Sequence, residues 1–385
     1  MKNSVYLPPK PRYEILDGLR GVAAMTVVAF HLFETYSGGP LTQIINHGYL
    51  AVDFFFVLSG FVIGYAYDDR WDRMSLKDFF KRRLVRLHPM VILGTLIGAL
   101  LFYFAESPAF PLIGETPWWK LLYVLLLGCL MLPLRNSLEI RGWGEMNPLN
   151  GPAWSLTFEY VGNLLYALFI RRFPNLLLLL CILGAAVLTI DLTLNLDLFG
   201  VLGDRPAAYT VIGGWSLTPQ QLYIGFTRLL YPFLTGLLLS RIGKSIRLRG
   251  GFWWCSALIL ILLAMPRIGG TEHMWMNGAY EALCILLIFP LIVMTGAGST
   301  VTGRRSAAVC SFLGAISYPL YITHYPLVYM QIAWAQAHPD APLGTAVCLS
   351  VSVFILSVGI AYAGLKLYDL PVREWLRKHW LMKKG

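Results

Sequence analysis

Charge is scarce in this chain: 14% of its 385 residues are Asp, Glu, Lys or Arg, whereas 57% are apolar. Soluble domains carry about 25% charged residues. With a mean hydropathy of +0.60, the composition excludes a soluble globule and describes a polytopic membrane protein. Cysteine is scarce too. Cys129, Cys181, Cys255, Cys284, Cys310 and Cys348 stand singly, mostly inside apolar runs, with no CxxC pair and no His at ligand spacing. That excludes a zinc ribbon or disulfide scaffold; the thiols read as small core residues, and no metal is expected. Also lacking are internal repeats and inverted half-to-half similarity, which counts against a transporter. No small-residue cleavage site follows the first apolar run, and Asp17 and Arg20 interrupt its start, so it reads as a retained span.

What is abundant is apolar sequence. Eleven segments stand out, at about 14–35, 48–67, 87–105, 118–134, 155–170, 173–190, 221–240, 252–266, 276–296, 309–333 and 343–367. A span needs about 20 residues, so about ten spans and short loops use the whole chain as one all-α membrane domain over 1–385. No separate soluble domain is expected. The net charge of +10 would suggest nucleic acid in a soluble protein; here the basic residues collect between spans and report topology, so no nucleic-acid partner is expected. Lys2, Lys10 and Arg12, "KDFFKRRLVR", Arg171–Arg172, "RIGKSIRLR", Arg304–Arg305 and "REWLRKHWLMKKG" should all be cytoplasmic, and with them both termini. One apolar segment must then fail to cross. The best candidate is 118–134, whose "PWWK" start suits an interface; it reads as re-entrant or surface-lying. The segments 134–152 and 191–219, rich in Gly, Pro, Asn and Asp, read as outward loops able to roof a cavity.

The first span, "LDGLRGVAAMTVVAFHLFE", carries four ionisable groups despite a cost of about 2.5 kcal/mol or more for a charge at membrane depth. Eleven residues of helix turn about 1100° and rise about 16.5 Å, so Arg20 and His31 share a face at opposite depths. Asp17 and Glu34 sit three residues from them, the spacing at which helix side chains meet. A carboxylate on His31 would orient its ring and raise its basicity, as a general base requires. Otherwise Arg20 snorkels to headgroups and His31 ends the span.

Four further elements carry candidates. Asp53 lies among aromatics in "AVDFFFVLSGF", at a depth like that of His31, and should have a partner; Ser59 and Gly60 suit close helix packing. Arg83 and Arg86 in "RRLVR" could grip phosphate oxygens or serve as ordinary inside charge. In "NGPAWSLTFEY", Trp154, Ser155 and Glu159 lead in from outside; Glu159 could pair with His31 or bind a hydroxyl, or Ser155 could cap the helix while Glu159 favours its positive end. In "AISYPLYITHYPLVYM", Tyr321 and His324 could line a reaction chamber or tie helices together.

In this order the elements resemble the acyltransferase 3 family of integral-membrane acyltransferases: "LDGLRGVAAMTVVAFH" its Arg-x10-His element, "DFFFVLSGF" its second helix, "RRLVR" its Arg-x-x-Arg element, "NGPAWSLTFE" its Trp-Ser-Leu-x-x-Glu element, "ISYPLYITHYPLV" its late Ser-Tyr/His element and "YDLPVREWLRK" its closing segment. The resemblance implies transfer of an acyl group, commonly acetyl, from acyl-coenzyme A (acetyl-CoA) to an acceptor hydroxyl, often of a surface or exported glycan. It places the family's functional pair on Arg20 and His31 and its Arg-x-x-Arg on Arg83 and Arg86. The expected arrangement has Arg83 and Arg86 on the coenzyme's phosphates, Arg20 along the pantetheine's path, and His31 as base, oriented by Glu34, Asp53 or Glu159. Trp154, Ser155, Tyr321 and His324 would contact the acceptor. A covalent acyl-histidine stays open. The expected site is the bacterial inner membrane, in contact with lipid; a homo-oligomer is open. A proton-coupled exporter, or acylation of a small molecule such as an antibiotic or lipid, is the alternative.

Overall fold

The computed structural model describes residues 10–381, and every regular element among them is helical. Lys2, Lys383 and Lys384, which belong to the basic ends, lie outside the described residues. Helix α1 covers Glu14–Glu34, α2 Ala51–Tyr67, α3 Leu76–Leu100, α4 Trp118–Cys129, α5 Ala153–Leu168 and α6 Asn175–Leu194. Helix α7 covers Pro219–Ile242 and α8 Gly251–Ala264; α9 (Trp275–Leu283) and α10 (Phe289–Gly298) join through a π turn. Helices α11 (Arg304–Thr323), α12 (Tyr325–Ala337), α13 (Leu343–Ala363) and α14 (Leu370–Leu376) complete the chain.

Eight helices among the described residues are long and apolar enough to cross a membrane. The other two expected spans, α5 and α8, hold 16 and 14 residues. Helix α4, expected not to cross, has 12 residues; it rises about 18 Å, short of a hydrocarbon core of about 30 Å. The outer surface of the bundle is apolar. On α6, Leu176, Leu180, Leu183 and Val187 are exposed while Leu178, Ile182, Ala185 and Thr189 are buried, the pattern of a helix with one face on protein and one on lipid. Of the cysteines, all free, Cys255, Cys284 and Cys310 are core residues, but Cys348 is exposed on α13 and departs from that reading.

Helix α3 begins earlier than the apolar run at 87 suggests. Ser75 and Asp78 cap each other's backbone N–H groups, a reciprocal arrangement that starts a helix even ahead of a polar first turn. "RRLVR" therefore lies inside the helix, where Arg83 and Arg86, three apart, share a face.

Two glycines bring α2 and α7 into backbone contact. A Cβ on Gly60 would stand 1.9 Å from the Phe233 carbonyl oxygen, and one on Gly236 2.0 Å from that of Val57. Only hydrogen fits at either position. Gly60→Ala should force the helices apart at a cost of about 1–3 kcal/mol. A lowered melting temperature in detergent is the expected reading; an unchanged one would contradict the contact.

The expected segment 309–333 is a bent helix rather than a straight one. Pro326 has no N–H to give the Ile322 carbonyl, and the chain breaks between α11 and α12 at His324. Asn150 Nδ2 donates to the orphaned Ile322 oxygen at 2.7 Å. The loop before α5 is thereby fastened to the kink, which sets Tyr321 on one side of the break and Tyr325 on the other.

Candidate active site

On the first helix, Asp17, Arg20, His31 and Glu34 form two local pairs. His31 Nδ1 lies 2.9 Å from Glu34 Oε2; a carboxylate can only accept, so Nδ1 carries the proton and Nε2 presents a lone pair. Arg20 Nη2 meets Asp17 Oδ1 at 3.1 Å, and its Nε donates to Ser317 Oγ at 2.8 Å. The two pairs face different spaces.

His31 and Glu34 face a chamber of about 420 Å³, walled also by Tyr49, Trp154, Arg228 and Tyr325. Both loops expected to roof a cavity do so: Trp143 and Glu145 come from one, Ile212, Gly213 and Trp215 from the other. Arg20 lines a narrower cavity of about 120 Å³ with Ser59, Arg83, Arg86 and Glu159. Arg20, Arg83 and Arg86 in turn border a wide vestibule of about 390 Å³. Nine Lys and Arg side chains line the vestibule against one carboxylate, that of Asp17; Lys10, Arg12, Arg82, Arg373 and Arg377 are among the nine.

The chamber and the narrow cavity share two lining residues, Val52 and Tyr321. Tyr321 OH sits 2.7 Å from Ser155 Oγ and 3.3 Å from the Pro152 carbonyl, and its ring packs edge-on against Phe55 at 5.4 Å. Tyr321 and Val52 thus stand between the two spaces. Trp154 lies on the chamber side of them, its ring 5.1 Å from the Arg228 guanidinium.

Four expected roles are corrected. Asp53 does not orient His31: both its oxygens accept from Arg228, at 3.2 Å from Nε and 2.7 Å from Nη2, and both side chains are buried. Glu159 does not reach His31 either. Its Oε1 accepts from Arg83 at 2.6 Å and from Ser59 at 3.0 Å, and it lines the narrow cavity. Arg83 is correspondingly engaged, whereas Arg86 makes no hydrogen bond or ion pair among the described residues. His324 lines none of the three spaces. Its Nδ1 donates to the Leu320 and Tyr321 carbonyls in the last turn of α11, at 3.1 and 2.9 Å, and its ring stacks behind His31 with centroids 5.7 Å apart. Nor does Ser155 cap α5: the helix starts at Ala153, and the Ser155 hydroxyl bonds back to the Pro152 carbonyl at 3.0 Å.

Sequence reasoning missed Arg228 and Glu145. Arg228 is a lone charge inside "TRLLYPFLTG", the signal that singled out Asp53, its partner. Glu145 gave no such signal from its Gly-rich loop, yet it lies in the chamber wall, accepting from Tyr329 OH at 2.5 Å. Burial pushes its carboxyl up to about 7. Among the described residues no group of three or more His, Cys, Asp or Glu could hold a metal ion.

Comparison with known proteins places these features in a group. A family model described as an acyltransferase domain matches residues 13–363. The chain is 25% identical over 378 residues to acyltransferase MdmB of Streptomyces mycarofaciens, covering 92% of this chain and 91% of that one. It is 25% identical over 384 residues to O-acetyltransferase OatA of Staphylococcus aureus, covering 94% of this chain but 58% of OatA. Protein 2 in the picA locus of Rhizobium radiobacter is 34% identical over 166 residues, 41% of this chain and 83% of the relative. No solved structure matches.

Proposed function

The chain belongs to the acyltransferase 3 family, and from that membership we propose that this integral membrane acyltransferase moves an acyl group, most simply acetyl, from acyl-coenzyme A to a hydroxyl of a carbohydrate at the outer face. The observation that carries the reading is the joining of two unlike spaces at Tyr321. A vestibule of nine cations suits the phosphates of a coenzyme, and the His31–Glu34 pair stands in a chamber beyond Tyr321.

Arginine forks bind phosphate oxygens through paired N–H groups. Arg86, and the donors of Arg83 not used by Glu159, suit the donor's phosphates; Arg83 Nε is buried without a partner. The narrow cavity suits a slender pantetheine arm and little else. In the chamber, His31 Nε2 takes the proton of the acceptor hydroxyl as the oxygen attacks the thioester carbon. The new C–O bond forms, the C–S bond breaks, and the imidazolium returns its proton to the departing thiolate. Glu34 holds the ring with Nε2 forward. The vestibule side is the cytoplasmic side in this reading, and the membrane the bacterial inner membrane.

The donor assignment is tested by Arg86→Ala. Its KM for acetyl-CoA should rise about tenfold, equivalent to losing one charge-assisted phosphate contact, with kcat little changed and with the difference shrinking in high salt. Release of free coenzyme A thiol by the purified protein in liposomes, with surface polysaccharide as acceptor, reads both constants. A KM unchanged in both Arg83→Ala and Arg86→Ala would contradict the assignment.

A further inference from the structure

The chamber differs from the vestibule in the sign of its charge. Besides three tyrosines, its ionisable lining is His31, Glu34, Glu145 and Arg228. Arg228 contributes little net field, because Asp53 holds it in a fork and its Nη2 and Nη1 also donate to the Tyr49 and Gly213 carbonyls at 2.7 and 3.4 Å. Glu34 is matched to His31. Glu145 forms no ion pair among the described residues; Arg141, behind it, donates its Nε to the Pro148 carbonyl at 2.5 Å and lies over the Tyr329 ring at 3.7 Å.

Glu145 is 7% exposed, and what is exposed belongs to the chamber. Its Oε2 accepts from Tyr329, while its Oε1 carries no hydrogen bond among the described residues. That oxygen lies toward Gly151, where a Cβ would stand 2.6 Å away. Trp143, Trp154 and Trp215 supply flat apolar walls around it. The chamber continues into an open groove of about 520 Å³ that shares Glu34, Trp143 and Tyr325 with it, and whose remaining lining has His338 as its one ionisable side chain besides Tyr36.

Resting on the transfer reading, we infer that this chamber is an anion-excluding acceptor pocket: it admits a neutral or amine-bearing hydroxyl compound, and Glu145 is the second group that binds it. Phosphorylated or uronic-acid units are disfavoured as the reacting residue. The same field keeps the anionic donor on its own side of Tyr321, so the charge of each space selects one substrate.

The test measures the field directly in the full-length protein. Val27 lines the chamber four residues before His31, and Pro40 lines it from the loop beyond α1. Val27→Cys and Pro40→Cys are treated, at a pH well above 7 where the Glu145 carboxyl is ionised, with a cationic trimethylammonium and an anionic sulfonate methanethiosulfonate, and labelling is read by peptide mass spectrometry, which separates the new thiols from native ones. The cation-to-anion rate ratio, relative to that of free 2-mercaptoethanol, should rise on the order of tenfold and fall at least threefold when Glu145→Gln is added. A ratio at or below that of the free thiol, a ratio indifferent to Glu145→Gln, or no labelling at either site would overturn the inference. Coenzyme A release is followed separately: a cation-favouring chamber without acyl transfer would sink the transfer reading alone, and transfer without charge preference would sink this one alone.

Discussion

His31→Ala is expected to lower acyl transfer by about 10²- to 10⁴-fold, the range a positioned general base supplies, while leaving the protein folded. His31 is half-buried, and apart from the Glu34 contact its Nδ1 makes no hydrogen bond among the described residues. Removing the ring takes away the base without orphaning a buried carbonyl. Glu34→Gln should be milder: the amide oxygen can still accept from Nδ1, so the ring stays oriented, through a weaker, uncharged hydrogen bond. His324→Ala should behave differently again, as His324 caps carbonyls at the kink and stacks behind the base; there the melting temperature should fall along with turnover. Coenzyme A release and a detergent melt separate the three. Wild-type transfer by folded His31→Ala would end the assignment of His31 as base.

Asp53→Ala is expected to cost about 3–5 kcal/mol of stability, the penalty for stranding one half of a buried ion pair. Arg228 would lose both carboxylate oxygens in a place where its side chain is 2% exposed. Its other bonds, to the Tyr49 and Gly213 carbonyls, tie α7 to the start of α2 and to the roof loop, so the chamber should loosen with the pair. Replacing both partners by apolar residues of similar size, as in Asp53→Leu with Arg228→Met, should recover much of the loss, because no uncompensated charge remains. Asp53→Ala with full stability but no turnover would contradict this and return Asp53 to the chemistry.

The pairs on α1 were legible in the sequence because helix geometry alone joins residues three apart, and Arg20 and His31 face different spaces at opposite ends of one stripe because eleven residues rise about 16.5 Å. The roof loops were legible from composition. Partners across the fold were not. Asp53 and Arg228 are 175 residues apart, and depth in the membrane says nothing of which neighbour a helix face meets. Glu159 was placed too near His31 for a simpler reason. It lies six residues into α5, about 9 Å along the helix, which carries it past Tyr321 and into the narrow cavity. His324 was drawn to the chamber by its hydroxyl neighbours, but its Nδ1 donates to the Leu320 and Tyr321 carbonyls of its own helix instead.

In the proposed path the donor reaches His31 past Tyr321 and the acceptor reaches it from the opposite face. Oriented proteoliposomes with labelled acetyl-CoA confined to the vestibule side and a neutral glycan confined to the other test it most directly. Labelled glycan should form on the far side with the wild type and be absent with His31→Ala. Label appearing only when both substrates share one side would contradict it.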